Sequence, residues 1–351
     1  MNKFRTVDLF CGGGGLSQGL QDAGFDIVAS FDFWIPAIDF YNQNIKGHSA
    51  YQQDLSNVEE SVERIKKWKP SVIVGGPPCQ DFSSAGKRDE NGGRAELTIA
   101  YAKIVTSIRP QLFIMENVDR ALKAATYRQA IKLFADAGYH MTIAILDASL
   151  CGVPQKRKRV VVVGSLKKPS KSLVEVYKAM QSDRPMTIRD YLGDSLGINY
   201  YYRHPRSYAR RGVFSIDEPS PTVRGVNRPI PGGYAGHPGD AAPVDTPNLR
   251  PLTTKERSLI QTFPREWELV GAKSEIEQII GNAVPVKLGE FIGRAIKEVD
   301  KASAIVTSPK KGVVHDVPDE VSRPVQELMV FEQAATYTTD RMKRFAYAYA
   351  E

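Results

Sequence analysis

The segment Asp8-Leu9-Phe10-Cys11-Gly12-Gly13-Gly14-Gly15 constrains this chain most. Phe4 to Phe10 before it reads as a strand, and Leu16, Leu20 and Ala23 after it recur at helical spacing. Strand, glycine-rich turn and helix is the arrangement that brings a backbone close to a nucleotide. The glycines admit close approach, and the helix start offers unpaired N–H groups. A second strand, Ile27 to Phe31, ends at Asp32, where a carboxylate can accept from ribose hydroxyls. Asp54, at the end of a third strand, is placed to accept from an adenine amino group. A tight turn without a ligand is the plain alternative for the glycines alone. Ser17 stands where the dinucleotide fingerprint has its last glycine, which disfavours nicotinamide cofactors.

Strand and helix signals keep alternating. Val72 to Val74 is a short buried strand running into Gly75-Gly76-Pro77-Pro78. Leu97, Tyr101, Ile104 and Ile108 mark one helix face, stopped by Pro110, and Leu112 to Met115 is the next strand. Helix and strand follow again through Ile131 to Leu146, and Val160 to Val163 closes the series. The pattern predicts an α/β domain with a mostly parallel sheet over residues 1–185. Residues 200–250 are rich in Pro, Gly, Arg and Tyr with little periodicity, so 186–280 is expected to be a smaller irregular domain held by turns. Helical pattern returns at Thr253 to Gln261 and Val286 to Val299. Residues 302–351 form an extension to which no role attaches, loose around Ser308 to Asp319 and expected to be helical near Val325 to Tyr349.

No apolar run approaches membrane-spanning length, and Met1 to Val7 leaves no room for a secretory signal, so the cytoplasm is the expected location. The net charge of +7 suits a polyanionic partner without demanding one. Cys11, Cys79 and Cys151 are too few for a disulfide framework, and the five histidines show no metal-ligand spacing with them, so no metal is expected.

Cys79 follows a central strand, at the sheet edge where open α/β folds bind ligands. A cysteine there serves as a nucleophile where its proton is removed or its pKa lowered, and otherwise as a small buried hydrophobe. The next strand ends in Met115-Glu116-Asn117-Val118, which brings Glu116 to the same edge as a candidate acid or base. In Gln155-Lys156-Arg157-Lys158-Arg159, strand alternation points Gln155, Arg157 and Arg159 one way and the two lysines the other. Two arginines and an amide on one face suit an anion or a base edge, and a solvated basic strand edge is the plain alternative.

These segments, in this order, resemble the DNA (cytosine-5)-methyltransferases from about residue 4 to residue 300. The glycine run resembles the family's donor motif and Pro78-Cys79-Gln80 its catalytic loop. Arg94 and Leu97 sit where the family has a loop-closing Arg and a donor-contacting Leu. Glu116-Asn117-Val118 is similar to its acid motif, and Gln155, Arg157 and Arg159 to its Gln-x-Arg-x-Arg strand. Arg250-Pro251-Leu252-Thr253 with Glu256, Gln261, Phe263 and Pro264 resembles the motif supporting the recognition domain. Gly281-Asn282-Ala283-Val284-Pro285 resembles the closing motif, whose helix over 281–301 is expected to return to the donor site. Asp32 departs from a common Glu, and Phe33 would offer adenine an aromatic face where some members have Trp.

The resemblance implies a Rossmann-like catalytic domain and a target-recognition domain acting on double-stranded DNA with S-adenosylmethionine, which leaves as S-adenosylhomocysteine. Donor contacts would come from Asp8, Phe10, Gly12, Gly14, Gly15, Asp32, Phe33, Asp54, Leu55, Pro78, Leu97, Asn282 and Val284. Cys79 would add to carbon 6 of a flipped-out cytosine, Glu116 would hold or protonate ring nitrogen 3, and Arg159 would contact the base carbonyl. Arg157 would organise the catalytic loop or contact phosphate, Asn117 would fix the loop near Pro78, and Gln80 belongs to the same catalytic group. Ser83, Lys87, Arg88, Arg94, Gln155, Thr222, Val223, Arg224 and Arg228 would face DNA, with a loop from Asp81 to Gly93 closing over it. Thr222-Val223 resembles the pair the family places beside the flipped base, and Arg224 or Arg228 is expected to read a base. The family default is a monomer paired with a restriction endonuclease of the same specificity. The RNA-methylating branch carries a Cys-Phe-Thr tripeptide absent here, a silent relative need not retain Cys79, Glu116 and Arg159, and amino-group methyltransferases carry an Asp/Asn-Pro-Pro-aromatic motif where this chain has Gly76-Pro77-Pro78-Cys79.

Overall fold

The computed structural model describes residues 4–78, 96–169, 171–207, 209–306 and 327–330. The first half is an alternation of β1 (Arg5–Leu9), α1 (Gly15–Asp22), β2 (Asp26–Asp32), α2 (Ile35–Asn44), β3 (Ala50–Gln52), α3 (Val58–Lys66), β4 (Val72–Gly75), α4 (Glu96–Ile108), β5 (Leu112–Val118), α5 (Ala125–Asp136), β6 (His140–Asp147), β7 (Gln155–Lys156) and β8 (Lys158–Ser165). Then come α6 (Leu173–Met180), α7 (Ile188–Leu192), β9 (Tyr200–Tyr202), β10 (Val213–Ser215), β11 (Ser220–Pro221), α8 (Thr254–Ile260), α9 (Lys273–Asn282), α10 (Val286–Val306) and β12 (Glu327–Val330).

The main sheet has the order β12-β6-β8-β5-β4-β1-β2-β3. Every pairing is parallel except the two made by β8, which runs against both β5 and β6. The sheet is therefore mostly parallel, as the alternation predicts. The reversal of β8 is not readable in Val160 to Val163, because a strand buried on both faces is apolar whichever way it runs. Leu9 pairs with Gly75, and Gly75 with Met115, so β1, β4 and β5 deliver Phe10, Gly76 and Glu116 to one edge.

Helices cover both faces of this sheet. α1 and α10 pack backbone to backbone: a Cβ at Gly19 would stand 2.2 Å from the carbonyl oxygen of Val286, and one at Gly15 would stand 2.1 Å from that of Val284. The chain after α9 is thus seated on the glycine turn. α8 begins with a reciprocal cap, Thr253 accepting from the Glu256 N–H and Glu256 from the Thr253 N–H.

One sequence expectation needs correction. A strand, β12, occupies 327–330 where the sequence predicts a helix near 325–349, and it pairs with β6 over Glu327↔Thr142 to Val330↔Ile145. An open sheet edge offers a row of unpaired N–H and C=O groups, which explains the pairing without any helical period in the tail. The irregular region packs on the first half of the chain through a shared core. Leu192, Tyr201, Phe214, Ile260 and Phe263 share one apolar cluster with Ala37, Phe40 and Tyr41 of α2. A smaller cluster of Tyr202, Val213 and Tyr234 belongs to that region alone.

Candidate active site and recognition face

The donor side is built on the turn after β1. Phe10, Gly12 and Gly14 have φ of 58°, 51° and 84°, so the chain reverses through the left-handed region before α1. A Cβ at Gly12 would meet nothing within 4 Å, so its outer face is open, while Gly13 and Gly14 are closed by Ile279, Ile45 and Tyr41. Asp32 holds this shape, accepting from the Gly12 N–H at 2.8 Å and the Trp34 N–H at 2.9 Å. Burial raises its carboxyl pKa, against those backbone N–H bonds. Phe33 beside it is 65% exposed, which a ring awaiting a flat partner would be. An open turn, a carboxylate and an exposed ring fit a nucleoside with a charged tail such as S-adenosylmethionine.

Several donor assignments change. Asp8 is fully buried beneath the turn, with Oδ2 accepting from Ser17 Oγ at 2.6 Å and Oδ1 unpartnered among the described residues, so it cannot touch a ligand from the surface. Burial, with the Asp32 charge adding and the Ser17 bond opposing, pushes its pKa up to about 7. Leu55 puts its side chain in the core, leaving its backbone for contact. Asp54 lies two residues past the end of β3, exposed, with Oδ1 accepting from the Ser56 N–H and Oγ. Val284 and Gly15 touch, which brings the closing motif to the turn, and Asn282 is exposed there. Pro78 and Leu97 are half-buried.

On the acid side, Glu116 is buried and pairs with Arg159, Oε1 to Nε, at 2.8 Å. The register puts Val118 opposite Arg159, so Glu116 and Arg159 are diagonal neighbours on one face. Burial raises the Glu116 pKa, partly countered by Arg159 and Arg157. A Cβ at Gly76 would stand 3.3 Å from Glu116 Oε2, so glycine there leaves the carboxyl uncovered. Asn117 Nδ2 donates to the Pro77 carbonyl at 3.2 Å, tying the acid strand to the segment that leads into Cys79. Cys79, Gln80, Ser83, Lys87, Arg88 and Arg94, with the loop Asp81 to Gly93, lie outside the described residues.

The alternation of Gln155, Arg157 and Arg159 holds, but only Arg159 faces the pocket edge. Gln155 is completely buried, its Nε2 donating to Gln261 Oε1 at 2.6 Å and its Oε1 accepting from the Val223 N–H at 3.0 Å. Arg157 is buried and donates to the carbonyls of Val223, Gly281 and Ala283. Gln155 has no edge left for DNA, so it is corrected to a bracing residue, and Arg157 spends its two terminal nitrogens on the same brace. Val223 is also corrected: its side chain is in the shared core and both its backbone groups are used. Thr222 stays nearer the surface, its Oγ1 donating to the Lys156 carbonyl at 2.8 Å. Gln261 completes the brace by donating to Ile280 O at 2.6 Å and Ala283 O at 3.1 Å. Its place in a motif is visible in the sequence, but its partners, up to 106 residues away, are not.

Gln155→Leu would strand Gln261 Oε1 and the Val223 N–H in the interior. It is expected to lower stability by about 2 kcal/mol, read as a lower urea midpoint. An unchanged midpoint would show that the brace is not structural.

The recognition face carries Arg203, Arg224 and Arg228 around one recess with His204, Asn227 and Arg257. Arg224 is half-buried and donates to the His204 carbonyl, whereas Arg228 is exposed. Arg257 pairs with Glu277 and donates to the Arg224 carbonyl. Among the described residues no group of His, Cys, Asp and Glu is arranged to hold a metal ion, and no helix is long and apolar enough to cross a membrane.

Comparison with known proteins agrees with this geometry. The chain is 54% identical over 297 residues to the Type II methyltransferase M.HindV of Haemophilus influenzae, covering 85% of this chain and 97% of that protein. It is 53% identical over 293 residues to the Type II methyltransferase M.HgiDI of Herpetosiphon aurantiacus, covering 84% and 94%. In fold it is similar to the Entamoeba histolytica methyltransferase EhMeth, with a TM-score of 0.65 at 17% identity over 86% of this chain and 99% of that one. The S. pombe Dnmt2 methyltransferase gives 0.61 at 19% identity, with the same coverage. The sequence profile of C-5 cytosine-specific DNA methylases matches residues 4–298, more than half the chain, and the protein belongs to that family.

Proposed function

We propose that the chain methylates carbon 5 of a cytosine within one short sequence of double-stranded DNA, as the protective half of a type II restriction-modification system. The observation that carries this reading is the buried Glu116–Arg159 pair, set at the sheet edge beside both the glycine turn and the segment leading into Cys79. Bound S-adenosylmethionine supplies an electrophilic sulfonium methyl. The turn at Gly12, Asp32 and Phe33 would hold it. Cys79 adds to carbon 6 of the cytosine, which makes carbon 5 nucleophilic. Glu116 holds a proton at ring nitrogen 3 and Arg159 meets the carbonyl oxygen, so charge developing on the ring is matched. Once carbon 5 has taken the methyl, loss of its proton to water and departure of Cys79 as thiolate restore the aromatic ring. A stacked cytosine is out of reach, so the base is flipped at a cost of a few kcal/mol, offset by pocket contacts. Thr222, tied to the Lys156 carbonyl, would stand beside the flipped base, and Arg224 or Arg228 reads a base edge from the recess they line. The enzyme acts as a monomer in the bacterial cytoplasm, beside an endonuclease of matching specificity.

The test is bisulfite sequencing of plasmid DNA from cells expressing the chain, beside an empty-vector control. Methylated cytosines in one recurring context, with protection of that plasmid from a nuclease cutting there, are expected. Unmethylated plasmid despite folded protein would sink the reading, and the same assay on cellular RNA would then be next.

A further inference from the structure

The arginines of the recognition recess are not equivalent. Arg203, just after β9, donates from Nη2 to the Thr222 carbonyl at 2.8 Å, and Arg224 donates from Nη2 to the His204 carbonyl. The two therefore lace segments 203–204 and 222–224 together, each anchored at one end of its guanidinium. Among the described residues neither has a carboxylate within ion-pair distance, whereas Arg257 behind them is neutralised by Glu277. Burial pushes Arg203 down to about 10, with Arg224 the next cause, Tyr201 opposing, and Arg206 and Arg257 adding. Arg224 is lowered by burial and then by Arg206 and Arg228. Like charges are thus gathered and half-desolvated in one recess, an arrangement that an anion relieves. Arg228 differs: it is exposed, it has no hydrogen bond or ion pair among the described residues, and its neighbour Asn227 is pinned to the Leu252 carbonyl at 2.7 Å.

We propose that Arg203 and Arg224 together clamp one phosphate of the bound DNA, which leaves Arg228 as the residue that reads a base edge. This rests on the DNA-methylating reading above. A base edge is read by one side chain presenting a free two-pronged fork, which Arg228 has. Two anchored forks converging from separate segments suit a tetrahedral anion instead. Because Arg203 also holds the carbonyl of Thr222, phosphate contact at Arg203 is coupled to the position of segment 222–224.

The experiment scans single methylphosphonates, which remove one backbone charge, across a duplex carrying the methylated sequence, with affinity read by anisotropy. One position is expected to cost the wild-type chain about tenfold and to cost Arg203→Gln and Arg224→Gln less than about twofold. Both variants should bind target and non-target DNA more weakly alike, with a salt slope smaller by about 0.9. Arg203→Lys, which keeps the charge, should keep the slope. Arg228→Ala should instead shrink the ratio of target to non-target affinity. No position separating wild type from Arg203→Gln, or relaxed sequence preference in Arg203→Gln, would overturn the clamp. If inorganic phosphate at constant ionic strength stabilises wild type but not Arg203→Gln while no methylphosphonate matters, the recess holds a free anion and the DNA clamp is overturned. If DNA is methylated but Arg203→Gln and Arg224→Gln leave its binding unchanged, the clamp fails and the methylation reading stands. If the wild-type chain neither binds nor methylates DNA, both fall.

Discussion

A chain carrying Cys79→Ala is expected to leave every target cytosine unmethylated, and one carrying Glu116→Gln to lose about 10²- to 10³-fold in single-turnover methyl transfer. The two losses have different causes. Without the thiol, carbon 5 remains a poor nucleophile, and no positioning compensates. In Glu116→Gln the side-chain amide can still donate to ring nitrogen 3, so the base is held, but no proton is given as charge develops on the ring. The structure sets Glu116 up for that transfer: it is buried at the end of β5, open towards Gly76, and desolvation raises its pKa. A carboxyl that keeps its proton to higher pH can donate, and its donating form declines as pH rises through that raised pKa. Arg159 at 2.8 Å limits how far the shift goes. Loss of the carboxylate also leaves the half-buried Arg159 guanidinium without its counter-charge, so DNA affinity and the thermal midpoint should be measured beside the rate. A Glu116→Gln rate within about threefold of wild type, with DNA bound normally, would remove Glu116 from the chemistry. Methylation surviving in Cys79→Ala would remove the covalent mechanism.

The parts of the site legible in the sequence are those fixed by local geometry. A strand end places Glu116 and the start of the catalytic loop, and a glycine turn places Asp32, because each depends on a few consecutive residues and on sheet order. The alternation of Gln155, Arg157 and Arg159 is equally local, and it holds. What lies opposite that face is not local. Gln155 meets residues 68 and 106 positions away, so a side chain that looks like a DNA contact is consumed in the interior, and Arg157 beside it reaches carbonyls up to 126 positions away. Polar type cannot distinguish a buried brace from a solvent-facing contact when the partner is a distant backbone carbonyl. The same holds for Asp8, whose short spacing to the turn suggests a ligand contact while its depth in β1 decides otherwise. The tail strand β12 is invisible for a different reason, since the edge of β6 rather than any period of its own dictates its conformation.

Asp8→Asn is expected to stabilise the ligand-free protein above neutral pH and to weaken donor binding there. Asp8 Oδ2 accepts from Ser17, Ser17 Oγ lies 3.4 Å from Ser30 Oγ, and Ser30 and Tyr41 share a 2.7 Å bond, so one oxygen belongs to a buried hydroxyl chain. The other oxygen has no partner among the described residues. An ionised carboxylate there is poorly solvated, and its pKa rises from 3.8 to about 7. The folded state therefore holds this proton more tightly than the unfolded chain does. Stability from Asp8 is greatest below about pH 4, falls as pH rises towards about 7, and stays low beyond it, a penalty of about 4 kcal/mol. Asparagine imitates the neutral acid at every pH, at a cost of about 1–2 kcal/mol for an amide N–H without an acceptor. The net expectation near pH 8 is a gain of about 2–3 kcal/mol in urea unfolding that shrinks and then reverses as pH falls. A gain independent of pH would mean that Asp8 does not titrate in this range. Donor binding should move the other way. A cationic sulfonium above the turn interacts favourably with the charge beneath it, so calorimetry near pH 8 should show weaker S-adenosylmethionine binding in Asp8→Asn, with binding of the uncharged-sulfur product changed less. Equal losses for both ligands would make Asp8 a residue that shapes the turn without acting through its charge.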